Sequence, residues 1–310
     1  MQIVNIDDNL IIEDMTAVAI GKFDGIHLGH QKLFGRLLEE KKNGLKTVVF
    51  TFDKSIAAFF SGKESPSILT EEEKQELLSE MGIDVLAVYP VNSESVKISP
   101  KDFIKKVLVD KLNAKVVVAG PDLSYADKGR GDFVLLESLS SVYGYNAVKI
   151  DKEIYKESGK EISSTYVREA ISAGDMSLAS NLLGRPYFVS GQVMHGRKLG
   201  RVMSFPTVNL IMDKEKLLPP YGVYLANVYV GSEKYAGVAN VGIKPTISDN
   251  EKPCVETHIF DFDEELYGEY IRVEMLEFMR PEKKFNSIDE LKNQLKVDIK
   301  NAKSKISTCL

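Results

Sequence analysis

The chain has 310 residues, 44% hydrophobic and 27% charged, with a net charge of −5. A single compact core seldom grows beyond ~250–300 residues, so two domains are expected. Lys and Arg are scattered, which argues against a nucleic-acid footprint, and no apolar run approaches the ~18 residues that span a bilayer.

The chain opens with MQIVNIDDNLIIED, which is acidic and lacks the basic segment and cleavage site of a secretory signal; a cytoplasmic protein is expected. Ala17–Gly21 then reads as a buried strand, and His30–Leu45 as a helix with Leu33, Phe34, Leu37 and Leu38 at helical spacing. Thr47–Phe52 is a β-branched and aromatic strand. Thr70 and Glu73 form a capping box for a helix that ends near Gly82, and Val85–Tyr89 follows as a strand. Ser99-Pro100 starts another helix, with Pro at the first helical position. It leads to the strand Val116–Ala119, then a further helix and strand to Ile150. Strands alternating with helices imply a parallel sheet covered on both faces, an α/β domain.

Two short helices, Ser164–Ala173 and Ser177–Leu183, separate this half from a β-rich one. Tyr187–Met194, Val223–Val230, Tyr235–Val241, Val255–Phe260 and Ile271–Met279 read as strands. The second and third are joined by the loop Gly231-Ser232-Glu233-Lys234. Ser287 and Glu290 then cap a C-terminal helix with Ile288, Leu291, Leu295 and Ile299 on one face. Cys254 and Cys309 form no C-x-x-C pair, which argues against a zinc or disulfide framework.

The segment GKFDGIHLGH, Gly21 to His30, lies between a strand and a helix. Its three glycines, Gly21, Gly25 and Gly29, let backbone approach a ligand, and the unpaired N–H groups of a helix start suit a polyphosphate. His27 and His30 are three apart and can share one face, where imidazoles would stabilise charge developing on an attacked phosphorus and its leaving group. A lone histidine is more often a satisfied polar side chain, and no third residue at metal-ligand spacing accompanies this pair. The joint pattern, with Phe23 and Asp24, departs from both G-x-G-x-x-G and the P-loop.

The segment resembles the G-x-F-D-G-x-H-x-G-H signature of the prokaryotic bifunctional riboflavin kinase/FAD synthetase family, within the nucleotidyltransferases that carry H-x-G-H. The resemblance implies a Rossmann-like N-terminal domain that binds ATP and transfers AMP to FMN. Leu69–Asp84 is similar to the family's second helix and strand. Gly120-Pro121-Asp122 matches its G-x-D-F-x-F-G loop, with Leu123, Tyr125 and Ala126 replacing Phe, Phe and Gly. Ile162–Arg168 matches I-S-S-T-x-I-R. Ser163, Ser164, Thr165 and Arg168 are thereby implied in ATP binding together with Asp122; alone, the hydroxyls would read as a helix cap. Asp53-Lys54-Ser55 stands where the family often has x-P-H-P.

In the β half, Gly196 and Gly200 with Arg197, Lys198 and Arg201 make a cationic loop able to wrap phosphates. Thr207 and Asn209 are two apart and face one side of an extended strand, and their hydroxyl and amide oxygens suit Mg²⁺. Taken alone, P-T-x-N is more often a turn entering a strand. Here it resembles the kinase half of the same family, G-F-P-T-A-N, as do Gly222–Tyr224, Gly237–Thr246, Val255–Gly268 and Arg280–Phe285. The resemblance implies a Greek-key β-barrel with a C-terminal helix. It also implies that Gly196, Arg197, Gly200, Arg201, Phe205, Pro206, Thr207 and Asn209 bind MgATP, and that Arg280 and Glu256 meet the flavin. Glu256 is the candidate general base for the riboflavin hydroxyl. His195 and His258 read as structural.

The expectation is an α/β plus β enzyme, residues 1–184 adenylylating FMN to FAD and 185–310 phosphorylating riboflavin to FMN. ATP is the co-substrate, Mg²⁺ the metal, and nucleic acid and membrane are excluded as partners. The departures at 53–55 and 122–126 leave open a chain in which only the kinase works. From another class, a non-catalytic flavin-binding regulator stays open, though retention of His27, His30, Thr207, Asn209 and Glu256 speaks against it.

Overall fold

The structure, a computed structural model, describes residues 1–7, 9–63, 65–194, 206–244 and 252–306. The chain divides into two compact units. The first comprises Met1–Ser65 and Thr70–Ser163; the second comprises Pro66–Leu69 and Ser164 onwards.

The first unit is built on six parallel strands: β1 (Gln2–Asn5), β2 (Thr16–Ile20), β3 (Lys46–Phe52), β4 (Val85–Tyr89), β5 (Ala114–Ala119) and β6 (Asn146–Lys149). They lie in the order β1-β4-β3-β2-β5-β6. Val18, Ile20, Val48, Phe50, Ala87 and Val117 pack with Phe103, Ile104, Val107 and Leu108 in one core cluster. The alternating residues Ala17, Ala19, Val49, Leu86 and Val118 are buried too, so both faces are covered as the sequence predicts. Helix α1 (Leu28–Lys42) packs over β2, β3 and β5. The chain leaves β2 towards β3 on one side while β5 lies on the other, so β2 stands at the topological switch point. In open α/β sheets that is where ligands bind, beyond the carboxyl ends of the strands.

Local signals hold in this unit. Thr70 and Glu73 form a reciprocal capping box at α3 (Glu71–Glu80), and Ser99 accepts from the Asp102 amide at α4 (Pro100–Asp102), which continues as a π-helix through Val109. Among the elements that escape the sequence pattern are β1 and α2 (Ile56–Ser61). β1 is short and largely exposed, so it carries no buried run. Helix α2 is only six residues long, started by Ser55 Oγ accepting from the Ala58 amide.

The second unit holds six antiparallel strands: β9 (Tyr187–Gln192), β10 (Val208–Ile211), β11 (Gly222–Val230), β12 (Glu233–Lys244), β13 (Lys252–Ile259) and β14 (Tyr270–Pro281). A two-stranded hairpin, β7 (Ile154–Tyr155) and β8 (Lys160–Glu161), precedes them within the first unit. The order β10-β13-β12-β11-β14-β9 is a Greek key, because β11, β12 and β13 form a meander and β14 returns beside β11. Met194 N donates to Asn209 O at 2.9 Å, joining the two sheet edges into a nearly closed barrel. Val230 pairs with Glu233, so the β11–β12 turn is Gly231-Ser232, two residues rather than the expected four. Two-residue turns match the right-handed strand twist and let the ladder run further. Helices α7 (Ser164–Ala173) and α8 (Met176–Leu183) belong to this unit, and the C-terminal helix Ile288–Ile306 covers Val223, Leu225, Val238 and Phe260. Its cap differs by one residue from the sequence reading: Ser287 Oγ accepts from the Glu290 amide, but Glu290 reaches the Asn286 amide. Among the described residues no helix is long and apolar enough to cross a membrane.

Pro66–Leu69 lies within the first half of the sequence yet completes the second unit. Ser67 pairs in parallel with Lys216, and Leu217 N donates to Ser67 O at 2.8 Å. Lys216 is buried. Its ammonium donates to Ile68 O at 2.8 Å and Phe188 O at 3.1 Å and lies 4.9 Å from the Tyr187 ring centre. A buried cation is tolerated because carbonyl dipoles and an aromatic face replace its water. Lys216→Met keeps the packing but leaves carbonyls without a donor. It should cost about 2–4 kcal/mol, read from native-state hydrogen exchange of β9 and β14 amides in a urea series. Unchanged exchange would show that this cation holds nothing.

Candidate active sites

The turn after β2 is tied at its start by Gly21 N donating to Phe50 O, 3.1 Å, and at its end by Gln31 Nε2 donating to Ile26 O, 3.0 Å. Between these ties Phe23, Gly25 and Ile26 all have positive φ (52°, 84° and 46°). For Phe and Ile such backbone is strained by roughly 1–2 kcal/mol each, and it persists only because both side chains are fully buried. Helix α1 starts at Leu28, two residues earlier than expected, and no side chain caps it. His27 therefore occupies the N-cap position and His30 the first turn. The early start was not legible because the cap signal is missing.

The two imidazoles stack, with ring centres 3.6 Å apart and planes 23° apart. Gly29 makes room: a Cβ there would stand 3.1 Å from the His27 ring. Phe23 meets His30 edge-on at 5.2 Å, and Asp24 is buried in the same turn. His30 Nδ1 is sealed from solvent and has no hydrogen-bond partner among the described residues. Burial, and secondarily the neighbouring His27, hold the His30 pKa well below the ordinary imidazole value. His30 is thus neutral at pH 7, able to donate one hydrogen bond without bringing a full charge. With the first N–H groups of α1, which have no intrahelical acceptor, this arrangement suits an anion at a switch point.

The remaining residues expected around ATP are placed as follows. Asp122 is exposed and pairs with Lys152 at 3.4 Å. Ser163 ends the first unit; Ser164 opens α7, which carries Thr165 and Arg168, and the Arg168 guanidinium donates to the Pro66 carbonyl. In the loop after Asp122, Tyr125 is buried against Phe103 and pairs with Gly131. Ala126 sits at φ 63°, ψ −162°.

In the second unit, β13 alternates. Val255, Thr257 and Ile259 are buried on one side; Cys254, Glu256 and His258 share the other. Asn209 stands directly opposite Glu256 on β10, and Asn240 opposite it on β12. Thr207 Oγ donates to Glu256 Oε1 at 2.7 Å. The Cys254 thiol lies 3.8 Å from Asn209 Oδ1. A hydroxyl, an amide oxygen and a carboxylate thus gather on one face, a hard oxygen set that fits a divalent cation such as Mg²⁺ with substrate and water completing its shell. Pro206 is exposed just before Thr207. Gly196, Arg197, Gly200, Arg201 and Phe205 lie outside the described residues, as does His195.

Arg280, expected at the flavin, is taken up by Asp298 of the C-terminal helix. Nε donates to Oδ1 at 2.9 Å and Nη2 to Oδ2 at 2.7 Å, while Gln294 donates to the same carboxylate at 2.9 Å. Asp298 is buried, and a buried carboxylate requires this saturation. Sequence reasoning missed Asp298, although an acid seven residues after Leu291 in an otherwise apolar stripe was the available signal. His258, read from the sequence as structural, lies by alternation on the face of Glu256.

Fold and sites define a nucleotide-handling α/β unit with an H-x-G-H turn, joined in one chain to a Greek-key barrel bearing a Thr–Asn–Glu cluster. The family model for FAD synthetase matches residues 11–166, and that for riboflavin kinase matches residues 183–306. Bifunctional riboflavin kinase/FMN adenylyltransferases from Buchnera aphidicola (Acyrthosiphon pisum) and Bacillus subtilis are each 39% identical. The matches cover 93% of this chain in both cases and 92% and 91% of those proteins. A solved structure described as a macrolide-efflux protein from Streptococcus pneumoniae superposes with a TM-score of 0.82 at 30% identity, over 98% of this chain and 99% of that one. The chain belongs to the bifunctional riboflavin kinase/FMN adenylyltransferase family.

Two outcomes follow from this geometry. Unfolded, His30 takes up a proton near pH ~6.5; folded, only well below that. Between those values the unfolded state binds more protons, so stability rises with pH, is complete above ~6.5 and is lost on acidification. His30→Gln should flatten this slope by up to about 1.4 kcal/mol per pH unit in denaturant melts of the first unit between pH 5 and 7. Ala126 occupies backbone space held almost solely by glycine, so Ala126→Gly should raise stability by about 1–2 kcal/mol in the same assay.

Proposed function

We propose that the chain makes flavin cofactors in two ATP-dependent steps, riboflavin to FMN by residues 185–310 and FMN to FAD by residues 1–184. The observation that carries the first step is the Thr207–Glu256 hydrogen bond with Asn209 directly opposite. Riboflavin's terminal hydroxyl attacks the γ-phosphorus of ATP; its oxygen–phosphorus bond forms, the bond to the β,γ-bridging oxygen breaks, and ADP leaves. Glu256 accepts the hydroxyl proton. Thr207 and Asn209 would hold Mg²⁺, which when bound would neutralise phosphate charge. Thr207 orients the carboxylate by donating to it. Gly196, Arg197, Gly200, Arg201, Phe205 and Pro206 are assigned to the ATP phosphates and base on the strength of the family match. Arg280, through Asp298, holds the C-terminal helix against the barrel and so shapes the flavin side.

In the second step an FMN phosphate oxygen attacks the α-phosphorus of ATP and pyrophosphate leaves. The turn at Gly21–His30 receives the triphosphate. The α1 amides, His27 and the neutral His30 donate to oxygens on which charge builds, where water exclusion strengthens each bond. Asp24, Asp122, Ser163, Ser164, Thr165 and Arg168 are assigned to ATP in the same reading. The assignment follows chemistry rather than compactness, since α7 and α8 group with the barrel. A cytoplasmic location, where ATP is plentiful, belongs to it too.

The losses should separate. With riboflavin and MgATP, and FMN resolved from FAD by chromatography, Glu256→Gln should lower FMN formation by about 10²-fold or more while added FMN is still converted to FAD. His30→Ala should do the reverse, lowering FAD formation by about 10²-fold. Survival of both products in either variant would sink the assignment.

A further inference from the structure

The ladder between β10 and β13 begins at Val208, which pairs with Thr257. At Pro206 and Thr207, just before it, the backbone has no regular pairing, just where the kinase cluster needs support. Pro206 has no N–H to contribute, so its carbonyl is the one main-chain group by which it can be tied. Two side chains on the same face of β13 take over from the ladder. Glu256 accepts from Thr207 Oγ, and His258 Nδ1 stands 2.8 Å from the Pro206 carbonyl oxygen. A carbonyl oxygen can only accept, so Nδ1 carries the proton and His258 donates. The ring is steadied edge-on by Phe260, 5.8 Å away, which is itself buried under the C-terminal helix. Successive outward residues of β13 thus clamp successive residues of the turn.

We infer that His258 is a positioning residue for phosphoryl transfer: it fixes Pro206, and through it the reach of Thr207 and Asn209 towards the metal-bound triphosphate. This rests on the kinase reading above. His258 does not touch the reacting atoms. Its loss should therefore loosen the nucleotide site more than it slows the chemical step.

The test uses the full chain with His258→Ala and His258→Asn, the amide of Asn standing in for Nδ1–H. FMN formation is followed while ATP and Mg²⁺ are varied, FAD formation is followed from added FMN, and backbone amide exchange is read over residues 207–212. His258→Ala should raise the KM for ATP and the half-saturating Mg²⁺ by about fivefold or more, with a smaller change in kcat, the size set by one lost hydrogen bond. FAD formation should stay within about twofold, showing that the chain is folded. His258→Asn should recover most of the loss, and amide exchange at 208–210 should quicken in the Ala variant alone. Constants within about twofold of wild type for His258→Ala, or an Asn variant as impaired as Ala, would overturn the inference. A wild-type chain that makes no FMN would instead defeat the kinase reading; the exchange of the three proteins would then still decide whether His258 holds the turn.

Discussion

Every backbone N–H and C=O must be paired, and both candidate sites lie where regular pairing stops. Beyond β2 the chain makes a turn with three positive φ angles before α1 begins, so the first amides of α1 have no intrahelical acceptor. Before β10 the ladder ends and Pro206-Thr207 must be held by side chains. A phosphate-handling enzyme needs donors and oxygen ligands that are not consumed by secondary structure, and places where regular pairing stops are where such groups are found.

Such openings require firm surroundings. Around the first, Phe23 and Ile26 are fully buried, anchoring a backbone that would relax if exposed. Around the second, β13 divides its side chains between the core and the face of Thr207 and Asn209, so the carboxylate of Glu256 is carried by a strand whose inward residues are fixed by packing. The same economy recurs at Lys216 and Asp298. Each is a buried charge met by groups from other elements: the carbonyls of Ile68 and Phe188 for one, and Arg280 of β14, joined by Gln294 one helical turn away, for the other.

Much of the fold was legible because its signals are local. The capping box at Thr70, the Ser99-Pro100 start, and the β-branched runs of β2 to β5 are each contained within about ten residues. What escaped was short or cooperative. β1 offers no buried run, α2 is only six residues long, and α1 starts without a side-chain cap. The β11–β12 turn shrank to two residues because ladder pairing extends a strand past the point where its composition changes.

The sequence by itself determined the residue types and spacings that chemistry requires. Histidines three apart after a glycine turn, and a hydroxyl and an amide two apart before a strand, follow from covalent order and from helix and strand periods. Tertiary structure alone decided what those residues meet. It stacked His27 on His30 and lowered the pKa of the latter, and it set Glu256 opposite Asn209 within reach of Thr207. It turned Arg280 towards Asp298 and drew Pro66–Leu69 into the second unit. Burial and long-range register depend on which distant segments exclude water from a group, and no local pattern carries that information.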